Sequence, residues 1–307
     1  SSFGPENKYG YFPAGSVAWR LSEEDFIKEG ASWINDLKIR AGYGVTGNQR
    51  IPAFNYLARF QSSILSSAYA FGGGNALTTG VWQNNYANPA IKWESAKSLN
   101  IGLDFALFDS VIDGSLDWYN KKTSDMLYPV ALPATAVGMG GSPYVNVGDM
   151  SNKGVELSLG YHYGRKNDSP FKFDFVVNIS RNVNEIVALA PGVDQRPYGN
   201  FRSLTTSILQ AGAPFGSFYG YDMTGIYQNA AEVTQGPSYV GARVGGPKYR
   251  DVNGDGTVNA ADRTIIGDPN PDFIYSFSLN ANYKNWDVAM FFNGSQGNDL
   301  YEATRYF

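Results

Sequence analysis

Apolar and polar residues alternate along much of this chain. From Leu37 the apolar series runs Leu37, Ile39, Ala41, Tyr43, Val45, with Lys38, Arg40, Gly42, Gly44 and Thr46 between them. A period of two marks an extended strand with one apolar and one polar face. The same pattern recurs and predicts eight strands: 11–21, 36–46, 93–108, 111–123, 153–163, 171–183, 272–283 and a last one opening at Trp286. Between the first two, Ser22 as an N-cap before Glu23, Glu24 and Asp25 predicts a short helix.

The charges in these runs (Arg20, Lys38, Arg40, Asp104, Asp113, Asp117, Glu156, Lys172, Asp174 and Asp287) all take polar-face positions. The apolar face is therefore expected to be free of charge. At a bilayer midplane an Arg or Lys on a barrel's outer face costs about 2–4 kcal/mol. The links alternate short and long, with long connections at 47–92, 124–152 and 184–271. Membrane barrels have short turns on one side and long loops on the other. Tyr161, Tyr163, Phe171, Tyr283 and Trp286 gather at the short turns, where an interfacial aromatic girdle belongs. A soluble β-sandwich or solenoid also alternates, because one face packs on a core. Long loops without structure of their own are uncommon in such compact domains.

Composition narrows the choice. Aromatic residues make up 15 % and charged residues only 17 %, against about 25 % charged in an average soluble domain. The net charge of -4 argues against a nucleic-acid partner. The absence of cysteine removes disulfides, thiolate metal sites and cysteine nucleophiles, and a single histidine, His162, argues against zinc enzymes and Ser-His-Asp hydrolases. No apolar run approaches the ~18 residues of a membrane-spanning helix.

One segment carries site chemistry. DVNGDGTVNAAD, 251–262, matches the calcium-loop spacing D-x-D/N-x-D/N-G. Asp251, Asn253 and Asp255 offer side-chain oxygens, Thr257 its carbonyl, Asn259 a water-mediated contact, and Asp262 the twelfth position. Glu usually stands there, so the shorter Asp262 predicts weak, extracellular-type affinity of ~10⁻⁴–10⁻³ M. The same residues also suit a metal-free turn held by Asx hydrogen bonds. Polar-face carboxylates Asp104, Asp113, Asp117, Glu156 and Asp174 are more simply a hydrated wall than a glycosidase pair. GMGGS at 138–142 lacks the helix that a phosphate-binding loop needs. Loop aromatics Trp82, Tyr86, Phe218, Tyr219, Tyr221 and Tyr227 suit either loop packing or stacking on sugar rings.

Several segments together carry a resemblance: FPAGSVAWRLSEEDF (12–26), INDLKIRAGYGVTGNQ (34–49), NPAIKWESAKSLNIGLDFALF (88–108), NVGDMSNKGVELSL (146–159), GAPFGSFYGYDMTGIYQ (212–228) and KYRDVNGDGTVNAADRTIIGDPNPDFIYSFS (248–278). In this order they resemble the SusC/RagA family of TonB-linked outer-membrane transporters of Bacteroidetes. The resemblance implies an all-β, antiparallel transmembrane barrel of 22 strands, of which 1–307 would be an interior part lacking the plug domain and closing strands. It implies the cell outer membrane as location, oligosaccharides or peptides as cargo, a SusD-like surface lipoprotein as lid, and the TonB complex acting through the plug. It implies no catalytic residue and no cofactor beyond the calcium that 251–262 itself suggests. Two other readings stay open: a secreted, calcium-stabilised β-protein that binds glycans or cell surfaces, and a surface glycosidase.

Overall fold

The computed structural model describes residues 2–303 except 66, 71–76, 130–142, 166–168, 191 and 203; the GMGGS segment lies outside the described residues. Eight long strands form one sheet: β1 (Ala14–Arg20), β2 (Ile34–Asn48), β3 (Glu94–Leu107), β4 (Ile112–Ser124), β5 (Asp149–Tyr163), β6 (Phe171–Ala188), β7 (Phe273–Tyr283) and β8 (Trp286–Gln296). Each pairs antiparallel with its chain neighbour, so the sheet is a continuous meander in which β1 and β8 have one partner each. All eight predicted strands are present. β5 and β6 run about one turn's length further toward the long loops than the alternation traces.

The links bear out the asymmetry. Residues 21–33, 108–111, 164–170 and 284–285 join strands at one end, and 49–93, 125–148 and 189–272 at the other. The β7–β8 turn has two residues, with Lys284 at φ 53°, the left-handed region that tight hairpins require. The helix of the first link spans Asp25–Gly30, but Glu24 stands at its N-cap. Ser22 is instead buried and donates to Asp36 at 3.1 Å. The predicted cap is displaced because the hydroxyl finds a carboxylate on β2.

The side chains that name the apolar face are not covered. Leu37, Leu103, Leu157, Phe175 and Phe277 are each only half-buried, and along the same rows Ile101, Leu116, Val155, Leu159, Met290 and Phe292 are exposed. The buried apolar residues lie elsewhere: Phe3, Ile51 and Ile91 beneath the long loops beside β2 and β3, Ile186 at the loop end of β6, and Ile208, Leu209, Ala213, Tyr227 and Val258 in the connection after it. A soluble sandwich would bury its apolar rows; this sheet leaves them open. At the short-turn end the rings of Tyr161, Tyr163, Phe171 and Phe173 contact one another across β5 and β6.

One expectation fails. The apolar face does carry charge, at positions inside the predicted runs 93–108, 111–123, 153–163 and 171–183 themselves. Lys97, Lys122, Lys153 and Arg181 share its parity: Lys97 pairs with Val45 and Lys122, Lys153 with Val183, and Arg181 with Val155. All four sit in the long-loop half of the face, Arg181 lowest, level with Val155 and with Val183 beyond it.

Candidate functional site

The polar face is organised by ion pairs that tie neighbouring strands. On β2, Arg40 donates from Nε and Nη2 to both oxygens of Asp104 on β3, each at 2.8 Å, and its Nη2 reaches Asp117 on β4 at 3.1 Å. Lys38 adds a contact to Asp104 at 3.4 Å. A planar guanidinium suits this role, because its fixed fork engages one carboxylate with two bonds and still has a donor for another. Glycine makes the room. Gly102, buried between Arg40 and Asp117, would place an added Cβ 2.5 Å from Asp117 Oδ1 and 2.6 Å from Arg40 Nη2.

A second clasp sits near the short turns. His162 on β5 is 6 % exposed, with Nδ1 2.6 Å from Asp174 on β6 and Nε2 3.0 Å from Asp113 on β4. Arg165 donates to the same Asp174 oxygen at 2.8 Å. The imidazole thus bridges three strands, and Gly160, whose Cβ would meet Asp113, leaves space for it. Alternation places His162 on the polar face but not between two carboxylates; that requires the register. Four of the five carboxylates named above are therefore held by Arg40 or His162. Glu156 pairs across the strand with Asp117.

Between these clasps lies a shallow concavity of about 390 Å³ that Ser115, Asp117, Glu156, Ser158, Asn178 and Ser276 help to line. Asn178 donates to Ser276 at 3.2 Å, Tyr119 to Asn182 at 3.0 Å, and Asn282 to Asp287. Hydroxyls, amides and paired charges give a hydrated wall that offers many weak hydrogen bonds to a polar solute and no strong one.

The loops on the far side hold the acidic segment. Asp251 accepts from Gly254 and Gly256 N–H, both at 2.7 Å; Asn253 Oδ1 accepts from Asp255 N–H at 3.0 Å, and Asp255 from Thr257 N–H at 2.8 Å. Asp262 is fully buried and accepts from Val252, Asn253 and Asn259 N–H, closing a capping box with Asn259. Asn259 donates to the Thr257 carbonyl at 3.2 Å. These backbone donors, Asn259 foremost, hold the Asp262 carboxyl below its ordinary range against the opposing effect of burial. Among the described residues no three acidic or histidine side chains converge as a ready metal cage. Each accepting oxygen of Asp251, Asn253 and Asp255 keeps a second lone pair. The donor set therefore fits a hard cation through Asp251, Asn253, Asp255 and Thr257, while Asp262 is turned onto the backbone that shapes the loop.

The loop aromatics divide. Tyr227 is fully buried, and its hydroxyl donates to the Pro237 carbonyl at 2.7 Å. Tyr219 lies under Arg263, and Tyr221 packs on Tyr249 at 5.4 Å between centroids. Phe218 meets Tyr301, while Trp82 and Tyr86 are half-buried. Most are engaged in holding the loops together.

Two outcomes follow from this geometry. Gly102→Ala is expected to cost about 1 kcal/mol by pushing Arg40 off Asp117, and to cost less when Arg40 is already Ala and Asp117 is free to turn away; paired thermal unfolding curves check this coupling. Because Asp262 has a depressed pKa in the folded loop, its stabilisation is present above the unfolded value of about 3.9 and is lost as pH falls through and below it. Amide exchange at Val252, Asn253 and Asn259 is expected to accelerate, beyond its intrinsic pH dependence, only below about pH 4, and at every pH in Asp262→Ala.

Comparison with known proteins agrees with this architecture. The TonB dependent receptor-like β-barrel family model matches residues 2–304. TonB-dependent receptor P3 of Formosa agariphila is 39 % identical over 310 residues, covering 99 % of this chain and 30 % of the relative. TonB-dependent receptor SusC of Bacteroides thetaiotaomicron is 29 % identical over 98 % of this chain and 29 % of the relative. Among solved structures, the RagAB peptide importer in its "closed-closed" state superposes with a TM-score of 0.76 at 27 % identity, over 97 % of this chain and 30 % of that one. The chain thus spans about a third of the length of the relatives it matches, and it belongs to the TonB-dependent receptor β-barrel family, with SusC and RagA among its relatives.

Proposed function

We propose that this chain forms an arc of the wall of an outer-membrane importer that passes oligosaccharides or peptides across the cell outer membrane. The observation that carries the reading is the uncovered apolar face, backed by a polar face on which Arg40 and His162 hold four carboxylates. In lipid the first is satisfied by acyl chains and the second by water and solute. The long loops 49–93, 125–148 and 189–272 stand at the mouth, where a SusD-like lipoprotein would cap the barrel, and the TonB complex would supply energy through a plug domain. The hydroxyl- and amide-rich wall supports transit of a polar cargo. No residue is assigned a covalent step.

The alternative, a secreted β-protein, has to leave these apolar rows in water. Leu103→Arg, near the centre of the face, is expected to cost about 2–4 kcal/mol of barrel stability, whereas Asn100→Arg on the polar face is tolerated. Urea titration of the intact barrel in detergent measures both. Equal tolerance at the two positions would sink the membrane reading. Loss of labelled oligosaccharide or peptide uptake in cells lacking the protein tests the cargo class.

Calcium at 251–262 is part of the same proposal, in a structural role. When bound, it would cross-link the oxygens of Asp251, Asn253, Asp255 and Thr257. Millimolar calcium is expected to raise protease resistance of this loop with half-saturation at ~0.1–1 mM, and Asp251→Ala to abolish the response. Protection that is independent of calcium would remove the metal from the proposal.

A further inference from the structure

The four outward cations form a pattern. Each lies ten residues from the outermost apolar or aromatic residue of its own strand at the short-turn end: Lys97 from Leu107, Lys122 from Ile112, Lys153 from Tyr163 and Arg181 from Phe171. Ten residues of a strand tilted by ~40° rise about 25 Å, the height of a barrel's apolar band. In register the four step toward the short turns from β3 to β6. The short turns step the same way, since Leu107 faces Ile112 whereas Phe171 faces Tyr283 two rows further down. The cations therefore keep one height around the wall, in the long-loop half of the outward face.

Such a row repels itself, and its internal counter-charge is sparse. Asp149 meets Lys122 at 3.4 Å, and Glu185 lies on the same face further toward the loops. Lys97 and Lys153 have no acidic partner among the described residues, and Arg181 lies over the Phe273 ring at 5.6 Å. Between Lys153 and Arg181 the outward surface is indented by a cavity of about 230 Å³, lined by Trp118, Lys153, Gly154, Val155, Arg181 and Val183. Two cations thus stand at the rim of an apolar trough.

We propose that this trough binds a phosphorylated lipid of the leaflet on the long-loop side, with its phosphate between Lys153 and Arg181 and an acyl chain leaving past Trp118 and Val155 toward the short turns. Arg offers a fork that matches phosphate, Lys a point charge, and Trp a ring suited to the headgroup boundary. Free phosphate would use the cations but not the apolar walls. Lys97 and Lys122 extend the basic row and favour anionic headgroups beside the site. The proposal rests on the membrane reading above.

The test uses the intact barrel in detergent, exchanged against phosphatidylglycerol, a phosphorylated glycolipid, phosphatidylcholine or inorganic phosphate, with bound species read by native mass spectrometry. The anionic lipids are expected to exceed phosphatidylcholine by at least tenfold. Lys153→Gln with Arg181→Gln is expected to weaken them about 25-fold, about fivefold per charge. Lys121→Gln with Lys172→Gln, the same charge change on the polar face, leaves them unchanged. Arg181→Lys retains most binding and serves if the double variant fails to assemble, with Lys153→Gln alone as its losing counterpart. Equal retention by the outward variants, equal loss in the polar-face control, or full displacement by inorganic phosphate would overturn the site. A barrel that needs detergent but shows no lipid preference defeats this proposal alone; one that stays dispersed without detergent defeats the membrane reading beneath it.

Discussion

Every strand of this sheet must satisfy two surroundings at once, and residue parity is the only means it has. Successive side chains point to opposite faces, so a one-residue slip in register would exchange the faces wholesale. The pairing of Ile39 with Leu103, Leu103 with Leu116, and Leu116 with Leu157 keeps the apolar rows continuous from β2 to β5. The same register brings Arg40, Asp104 and Asp117 together on the reverse. Apolar continuity and charge neutralisation are two readings of one alignment.

How much of this was legible without coordinates follows from which features are local. All eight strands could be read from alternation, and the division into short and long links from their spacing. The upper ends of β5 and β6, 149–152 and 184–188, could not, because Ser151, Asn152, Asn184 and Glu185 carry no apolar alternation while strand pairing continues through Ser151–Glu185. The clasps at Arg40 and His162 join residues up to 77 positions apart and depend on register alone. The spacing of 251–262 suits a calcium loop and a metal-free Asx turn alike, and the Asx hydrogen bonds of Asp251, Asn253 and Asp255 are compatible with both. It did not reveal that Asp262, whose carboxylate is short, would reach back to the chain's own N–H groups.

The acidic turn and the polar wall share a physical device. In both, a carboxylate otherwise costly to shelter from water accepts several directed hydrogen bonds: three backbone N–H groups at Asp262, and the guanidinium fork plus Lys38 at Asp104. Satisfied in this way, a charged group specifies geometry instead of merely tolerating burial.

The placement of the buried apolar residues has a consequence for divergence. Ile208, Leu209, Ala213, Tyr227 and Val258 pack within the connection after β6, which docks on the strand tip through backbone bonds at Ile186. It also meets Asn184 of β6 and, through Arg196, the 125–148 connection, so its support comes from the loop side of the sheet and not from the apolar rows. A lineage could remodel this outer module residue by residue, or exchange it whole at the Ile186 junction, without disturbing the strand alignment underneath. Loop and wall are then free to evolve at different rates within a single polypeptide.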